Sequence, residues 1–166
     1  MVEMKIFGLA VDEKAQSPVI ILKDEARDLA LPIWVGPVEA MAISLAINAV
    51  ETPRPMTHDL IGRVVEALGA KLTGVEVVAL REGTFYAELV LEAKDAKKHL
   101  RVDCRPSDAI ALAARLGVPI FVAEAVLDAA GTRTLEGAKA EFAEPERDKW
   151  ADELDKLSPD DLKYKM

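Results

Sequence analysis

One pattern occurs twice along this chain: an arginine and a proline, followed closely by a small hydroxyl residue and an aspartate at the head of an apolar run. The stretches are Arg54-Pro55-Met56-Thr57-His58-Asp59 and Arg105-Pro106-Ser107-Asp108. Proline fixes φ and lacks an N–H, so it closes what precedes it and suits the first turn of a helix. Each stretch therefore marks a helix start. The free N–H groups and partial positive charge there favour Thr57 and Ser107 as N-caps and Asp59 and Asp108 as first-turn acids. Capping accounts for those four residues and leaves Arg54, Arg105 and His58 over. Arginines beside acids and a histidine are the raw material of an anion-handling or metal-assisted site.

Punctuation and periodicity give the remaining elements. Residues 4–11, 18–23 and 31–35 are largely apolar and β-compatible, are separated by charged turns, and read as a meander or hairpin. Gly36-Pro37 then opens a helix, with proline at its first position. Residues 38–50 are apolar almost all round, apart from the stripe Ser44, Asn48 and Glu51, which predicts a helix buried on most of its circumference. Glu39 lies off that stripe at about the third helical position, where an acid satisfies exposed amides. Two prolines forbid helix across residues 51–55. The next helix spans residues 57–68, with Leu60, Ile61, Val64, Val65 and Leu68 on one side and Gly69 as its stop.

Residues 74–80 and 84–91 flank Arg81-Glu82-Gly83 and read as a hairpin, with a third strand at 100–104. A helix capped by Ser107 runs to Leu116 and ends at Gly117. Residues 118–122 return as a strand, and a short helix at 124–130 ends at Gly131. The shared apolar-Pro-Ile-aromatic-Val pattern of residues 31–35 and 118–122 reads as two solutions to one packing problem. The fold class that results is α+β: two small, mostly antiparallel β regions with helices packed against them in a domain of residues 1–131. Residues 132–166 form a charged, partly helical tail in which Trp150, Leu154 and Leu157 make a thin apolar stripe and Ser158-Pro159 marks one more helix start.

Composition narrows the functional classes. A hydrophobic fraction of 51% in 166 residues supplies a real core. No run approaches the roughly 18–20 apolar residues of a membrane span, and residues 1–5 lack a secretory pattern. With Cys104 as the single cysteine no internal disulfide forms, and a reducing cytoplasm is the expected location. His58 and His99 are the only histidines, so no Cys/His zinc spacing exists. The net charge of −8 argues against a broad nucleic-acid-binding surface. Much of that charge sits in residues 141–166, which hold nine acids and five bases, so a local basic site on the body is allowed. No phosphate-cradling glycine loop, GxGxxG or GxSxG is present, which removes nucleotide-cofactor and serine-hydrolase readings.

Several of these segments together resemble a known family. They are Leu31-Pro32-Ile33-Trp34-Val35-Gly36-Pro37 with Glu39-Ala40, Pro53-Arg54-Pro55-Met56-Thr57-His58-Asp59, Gly83-Thr84-Phe85-Tyr86-Ala87, and Asp103 with Arg105-Pro106-Ser107-Asp108-Ala109-Ile110-Ala111-Leu112. In order and spacing, over residues 4–127, they resemble the bifunctional nuclease domain. The resemblance implies a compact α+β domain, a homo-oligomer, and a nuclease acting on both DNA and RNA. It brings no residue roles with it.

The candidate chemistry is therefore read from the residues. Phosphodiester hydrolysis needs an activated water and stabilisation of charge on the phosphoryl oxygens, which carboxylates holding a divalent metal such as Mg²⁺ or Mn²⁺ supply. Glu39, Asp59 and Asp108 are the candidate metal ligands. Asp59, His58, Asp108 and Asp103 are the candidate catalytic set, with His58 as metal ligand or general acid or base. Arg54 and Arg105 are the candidate phosphate ligands. Against this stands a plain structural reading, in which Asp59 and Asp108 only stabilise helix starts and the arginines pair with neighbouring acids. Thr84-Phe85-Tyr86 reads as strand packing before it reads as a base-stacking surface, and Cys104 as a small buried residue before a nucleophile. The rival functional class is a non-enzymatic oligomeric binding or assembly module, supported by the −8 charge, the apolar helix at 38–50 and the thinly amphipathic tail; a third reading is an anion-sensing regulatory protein that uses the same arginines.

Overall fold

The two β regions are held together by a strand of only three residues. In the computed structural model, which describes residues 1–12, 17–24, 26–93 and 99–132, the elements run β1 (Val2–Asp12), β2 (Ser17–Asp24), β3 (Leu29–Trp34), α1 (Pro37–Ile47), α2 (Thr57–Ala67), β4 (Ala70–Arg81), β5 (Thr84–Ala93), β6 (His99–Cys104), α3 (Pro106–Leu116), β7 (Ile120–Val122) and α4 (Glu124–Ala130). The strands form one sheet in the order β3-β2-β1-β7-β4-β5-β6. β7 pairs antiparallel with β1 through Val2↔Val122 and Met4↔Ile120, and parallel with β4 through Val75↔Ile120 and Val77↔Val122. All other pairings are antiparallel. The α+β class holds, and β7 turns the expected two regions into a single sheet. The tail features at Trp150, Leu154, Leu157 and Ser158-Pro159 lie outside the described residues.

Side-chain alternation sorts the sheet into two faces. Val2, Met4, Leu72, Val75, Val77, Ala87, Leu89, Ile120 and Val122 point to one face and are buried with Ile110 and Leu112 of α3. On the other face the paired row Glu3, Phe121, Glu76, Glu88 and Asp103 meets water. The β4–β5 turn has positive φ at both Glu82 (50°) and Gly83 (76°), the backbone a two-residue hairpin turn requires. No helix among the described residues is long and apolar enough to cross a membrane.

Three expectations about helices change. The caps precede the hydroxyl residues: Met56 is the N-cap of α2 and Arg105 that of α3. Pro106 takes the first helical position of α3, which moves Ser107 to the second. Enclosure also shifts from α1 to α3. In α3 the five residues from Ala109 to Ala113 are all buried, whereas Val38 of α1 is 78% exposed. The apolar stripe of α2 is split as well. Ile61 and Val65 pack on the core, while Leu60, Val64 and Leu68 face solvent.

Gly62 is the one buried residue of α2. A Cβ placed there would meet Leu116 Cδ2 at 3.3 Å, so α2 seats against the end of α3 through a position that is already tight for a methyl and overfilled by anything larger. Gly62→Leu should lower stability by about 1–3 kcal/mol through overpacking, read as a drop in the urea midpoint. An unchanged midpoint would mean that α2 is not seated there.

Candidate active site

Three acids of this protein occupy the same position in three helices. Glu39, Asp59 and Asp108 are each the third residue, after Pro37, Thr57 and Pro106. The ordinary use of an acid there is to turn back onto the N-cap amide. Asp59 does so: the Met56 N–H donates to its Oδ2 at 2.9 Å. Its other oxygen faces Arg115 Nε at 3.4 Å, and Arg115 also donates to the Val50 carbonyl at 2.9 Å. Asp59 is thereby accounted for by helix capping and by fastening α2 to α3.

Asp108 and Glu39 are used differently. Arg105 donates from Nε to Asp108 Oδ2 at 2.8 Å and from a terminal nitrogen to Oδ1 at 3.1 Å. Its other terminal nitrogen donates to Glu39 Oε1 at 2.7 Å. His58 Nε2 lies 3.3 Å from Asp108 Oδ1. One cluster therefore draws Glu39 from α1, His58 from α2, and Arg105 and Asp108 from the start of α3. Gly36, the N-cap of α1, makes room for it, because a Cβ there would collide with the Glu39 carboxylate.

The electrostatics follow from this sharing. Burial disfavours the Asp108 carboxylate, but hydrogen bonds from Arg105 and then His58 outweigh it, and its pKa falls below the ordinary value. Hydrogen bonds to Asp108 and then Glu39 raise the pKa of Arg105, which stays charged. Three of the five guanidinium N–H groups are spent on these acids, and the side chain is 64% exposed, leaving donors free to face an incoming anion.

The other candidates fall outside this cluster. Asp103, exposed on β6, sits across from Glu88. Arg54 is exposed on the proline-rich connection, where its carbonyl accepts from Thr52 Oγ1 at 2.7 Å. A cavity of about 390 Å³ opens beneath that connection on the Asp59 side, lined in part by Pro53, Pro55, Asp59, Arg63 and Arg115. Phe85 packs on the core, and the exposed Tyr86 ring holds the Arg81 guanidinium 5.1 Å from its centroid. Cys104 has its pKa pushed up to about 11, first by burial and then by Asp108, Asp103 and Glu88, so its thiol is protonated near neutrality and is no nucleophile.

The donor set does not fit a divalent cation as arranged. Asp59 is turned to Arg115, and a guanidinium stands between Glu39 and Asp108. Among the described residues no group of three or more His, Cys, Asp or Glu is placed to hold a metal ion. Arg115 is the residue that sequence reasoning missed. Its signal was the spacing from Asp108: seven residues are two helical turns, which puts both on one face of α3.

Comparison with known proteins bears on this arrangement. The family model of the bifunctional nuclease domain matches residues 20–134. An uncharacterised protein of Mycobacterium tuberculosis is 44% identical over 167 residues, covering 98% of this chain and 99% of the relative. Bifunctional nuclease 2 of Oryza sativa subsp. japonica is 29% identical over 138 residues, 82% of this chain and 42% of the relative. Bifunctional nuclease 1 of Arabidopsis thaliana is 29% identical over 143 residues, 85% of this chain and 44% of the relative. The chain thus spans less than half the length of these plant nucleases. The sequence segments and a family match over residues 20–134 agree: the chain belongs to the bifunctional nuclease domain family.

Proposed function

We propose that this protein is a nuclease that hydrolyses the phosphodiester bonds of DNA and RNA with low sequence selectivity, and that Glu39, His58, Arg105 and Asp108 form its reacting centre. The observation that carries the reading is the diversion of Asp108. An acid at the third position of a helix, where capping would suffice, is instead shared between a histidine and an exposed arginine. The names of the plant relatives supply the activity class.

In this reading Asp108 accepts a hydrogen bond from His58 Nε2–H, which fixes the tautomer and leaves Nδ1 to act as base. Nδ1 takes a proton from water as the water oxygen attacks phosphorus. The bond to the leaving oxygen breaks, and that oxygen takes a proton from solvent. Arg105, held by Glu39 and Asp108, turns its remaining N–H groups to the phosphoryl oxygens, where charge builds up. Arg54 contacts a flanking phosphate. The step is drawn without a metal, and assembly of the chain as a homo-oligomer belongs to the same family-based proposal.

Cleavage of single-stranded DNA and RNA with Mg²⁺, Mn²⁺ or EDTA tests this. His58→Ala and Asp108→Ala should each lose on the order of 10²-fold or more in rate while staying folded. If both cleave like the wild type, or if the folded wild type cleaves neither substrate, the site is wrong. A strict metal requirement would mean that a cation displaces Arg105 from the Glu39 and Asp108 carboxylates. Asp59→Ala should retain cleavage and lose about 1 kcal/mol of stability.

Two further outcomes follow from the pKa shifts. Asp108 titrates below its ordinary value of 3.8 in the folded chain. Its contribution to stability is therefore full above that value and is lost as pH falls through the folded pKa. The stability gap between wild type and Asp108→Asn, from urea melts at several pH values, should be open above pH 3.8 and close in strong acid. Cys104 should alkylate slowly at pH 8 and much faster approaching pH 11, and Cys104→Ser should cleave at the wild-type rate. Rapid alkylation at pH 8 would contradict the buried, protonated thiol.

A further inference from the structure

The two edges of the sheet are finished differently. β3 carries Pro32, which removes a donor from its edge. Its Ala30 exchanges backbone hydrogen bonds with Thr132 at 3.0 and 2.8 Å, and Ala30, Leu31 and Ile33 are buried. β6 has none of these protections among the described residues. It contains no proline, its register against β5 is unbroken, and every residue except Cys104 is exposed. Leu100 and Val102 lie on the core face, opposite the buried Leu91 and Leu89, yet they are 50% and 44% exposed. An unbroken strand edge with uncovered apolar side chains is a template for another strand.

We propose that β6 is a self-association edge, on which a second copy of this chain pairs its own β6 antiparallel across a two-fold axis at Val102. The residues select that register. Leu100 then faces Cys104 of the partner subunit, Arg101 faces the partner's Asp103, and Val102 faces its own copy. Apolar meets apolar on the core face and cation meets anion on the solvent face, each contact made twice. Centring on Arg101 or on Asp103 sets like charges face to face, and a one-residue slip joins the core face of one copy to the solvent face of the other. Asp103 is also the acid with most to gain: its neighbour within the chain is Glu88, and Arg101 is already shared by Glu76 and Glu88. Arg105 still has extended backbone, with φ −72° and ψ 147°. The register carried one residue further therefore sets the partner's His99 across from Arg105, at the mouth of the site. The inference stands on the edge itself and does not depend on the nuclease reading.

Light scattering during size exclusion of the 166-residue chain tests it. The wild type should have the mass of two 18.0 kDa chains. Asp103→Arg should reduce this to one chain that stays folded by circular dichroism, because it sets like charges opposite each other across the interface while relieving the Glu88 pairing within the chain. Val102→Cys in a Cys104→Ser background should form a disulfide-linked pair under mild oxidation much faster than Val38→Cys in the same background, since Val102 meets its own copy at a strand-pair distance. A single-chain mass for the wild type, an assembly unaffected by Asp103→Arg, or equal linking by the two cysteine variants would each overturn the proposal. The last two would move the interface elsewhere, for example to the exposed Leu60, Val64 and Leu68 of α2.

Discussion

Everything in this fold leans on the double pairing of Ile120, Phe121 and Val122. These three residues complete β1 on one side and β4 on the other, and without them the chain holds two separate antiparallel ribbons. Each has three strands, the smallest sheet whose hydrophobic face can stand alone. Joined, they form one sheet, on which α1 reaches β2 and α3 seats over β4 and β5 with the run Ala109 to Ala113 buried. That helix in turn fixes Arg105 and Asp108 at its start, and through Arg115 holds the first turn of α2. The placement of His58 thus depends on how α3 sits on β4 and β5, elements that follow it in the chain.

The ion pairs of the site do more for geometry than for stability. Arg105 is largely exposed, and exposed pairs contribute little net free energy. Their effect is geometric. One guanidinium bridges Asp108 from its own helix and Glu39 from another, which removes the freedom of three long side chains at once and aims the unspent N–H groups outward. Asp108 then has a fixed oxygen to offer His58. The same residues without the bridge would be a loose collection of charges at three helix ends.

Much of this was legible in the sequence, and the failures are informative. Strand and helix positions, the Glu82-Gly83 turn and the stop at Gly117 follow from local chemistry, and Gly117 indeed has φ 66°. The cap assignment failed in α3 because proline at the first helical position outranks a neighbouring hydroxyl, and in α2 because Asp59 turns back onto the Met56 amide and makes that residue the cap. The pairing of β7 was illegible because three residues carry too little pattern to name two partners. Asp59 and Asp108 share a helix position, an apolar helix and a preceding Arg-Pro motif. Nothing local distinguishes the one that caps from the one that meets His58. Only the approach of α2 to α3 does, and that rests on Gly62, whose missing side chain leaves no mark in a hydrophobicity pattern.

The thin seating of α2 has its own consequence. Arg105 and Asp108 sit three residues apart on the best-buried helix, and Glu39 reaches them from α1, so the anion-facing clamp forms without α2. His58 arrives on a helix whose contact with the core is limited to Ile61, Gly62 and Val65, and whose outer ridge is apolar and exposed. Local opening would release this helix sooner than α3. In the proposed nuclease, holding a phosphate and cleaving beside it are then separable states of one molecule, and whatever covers the outer ridge of α2 sets the balance between them.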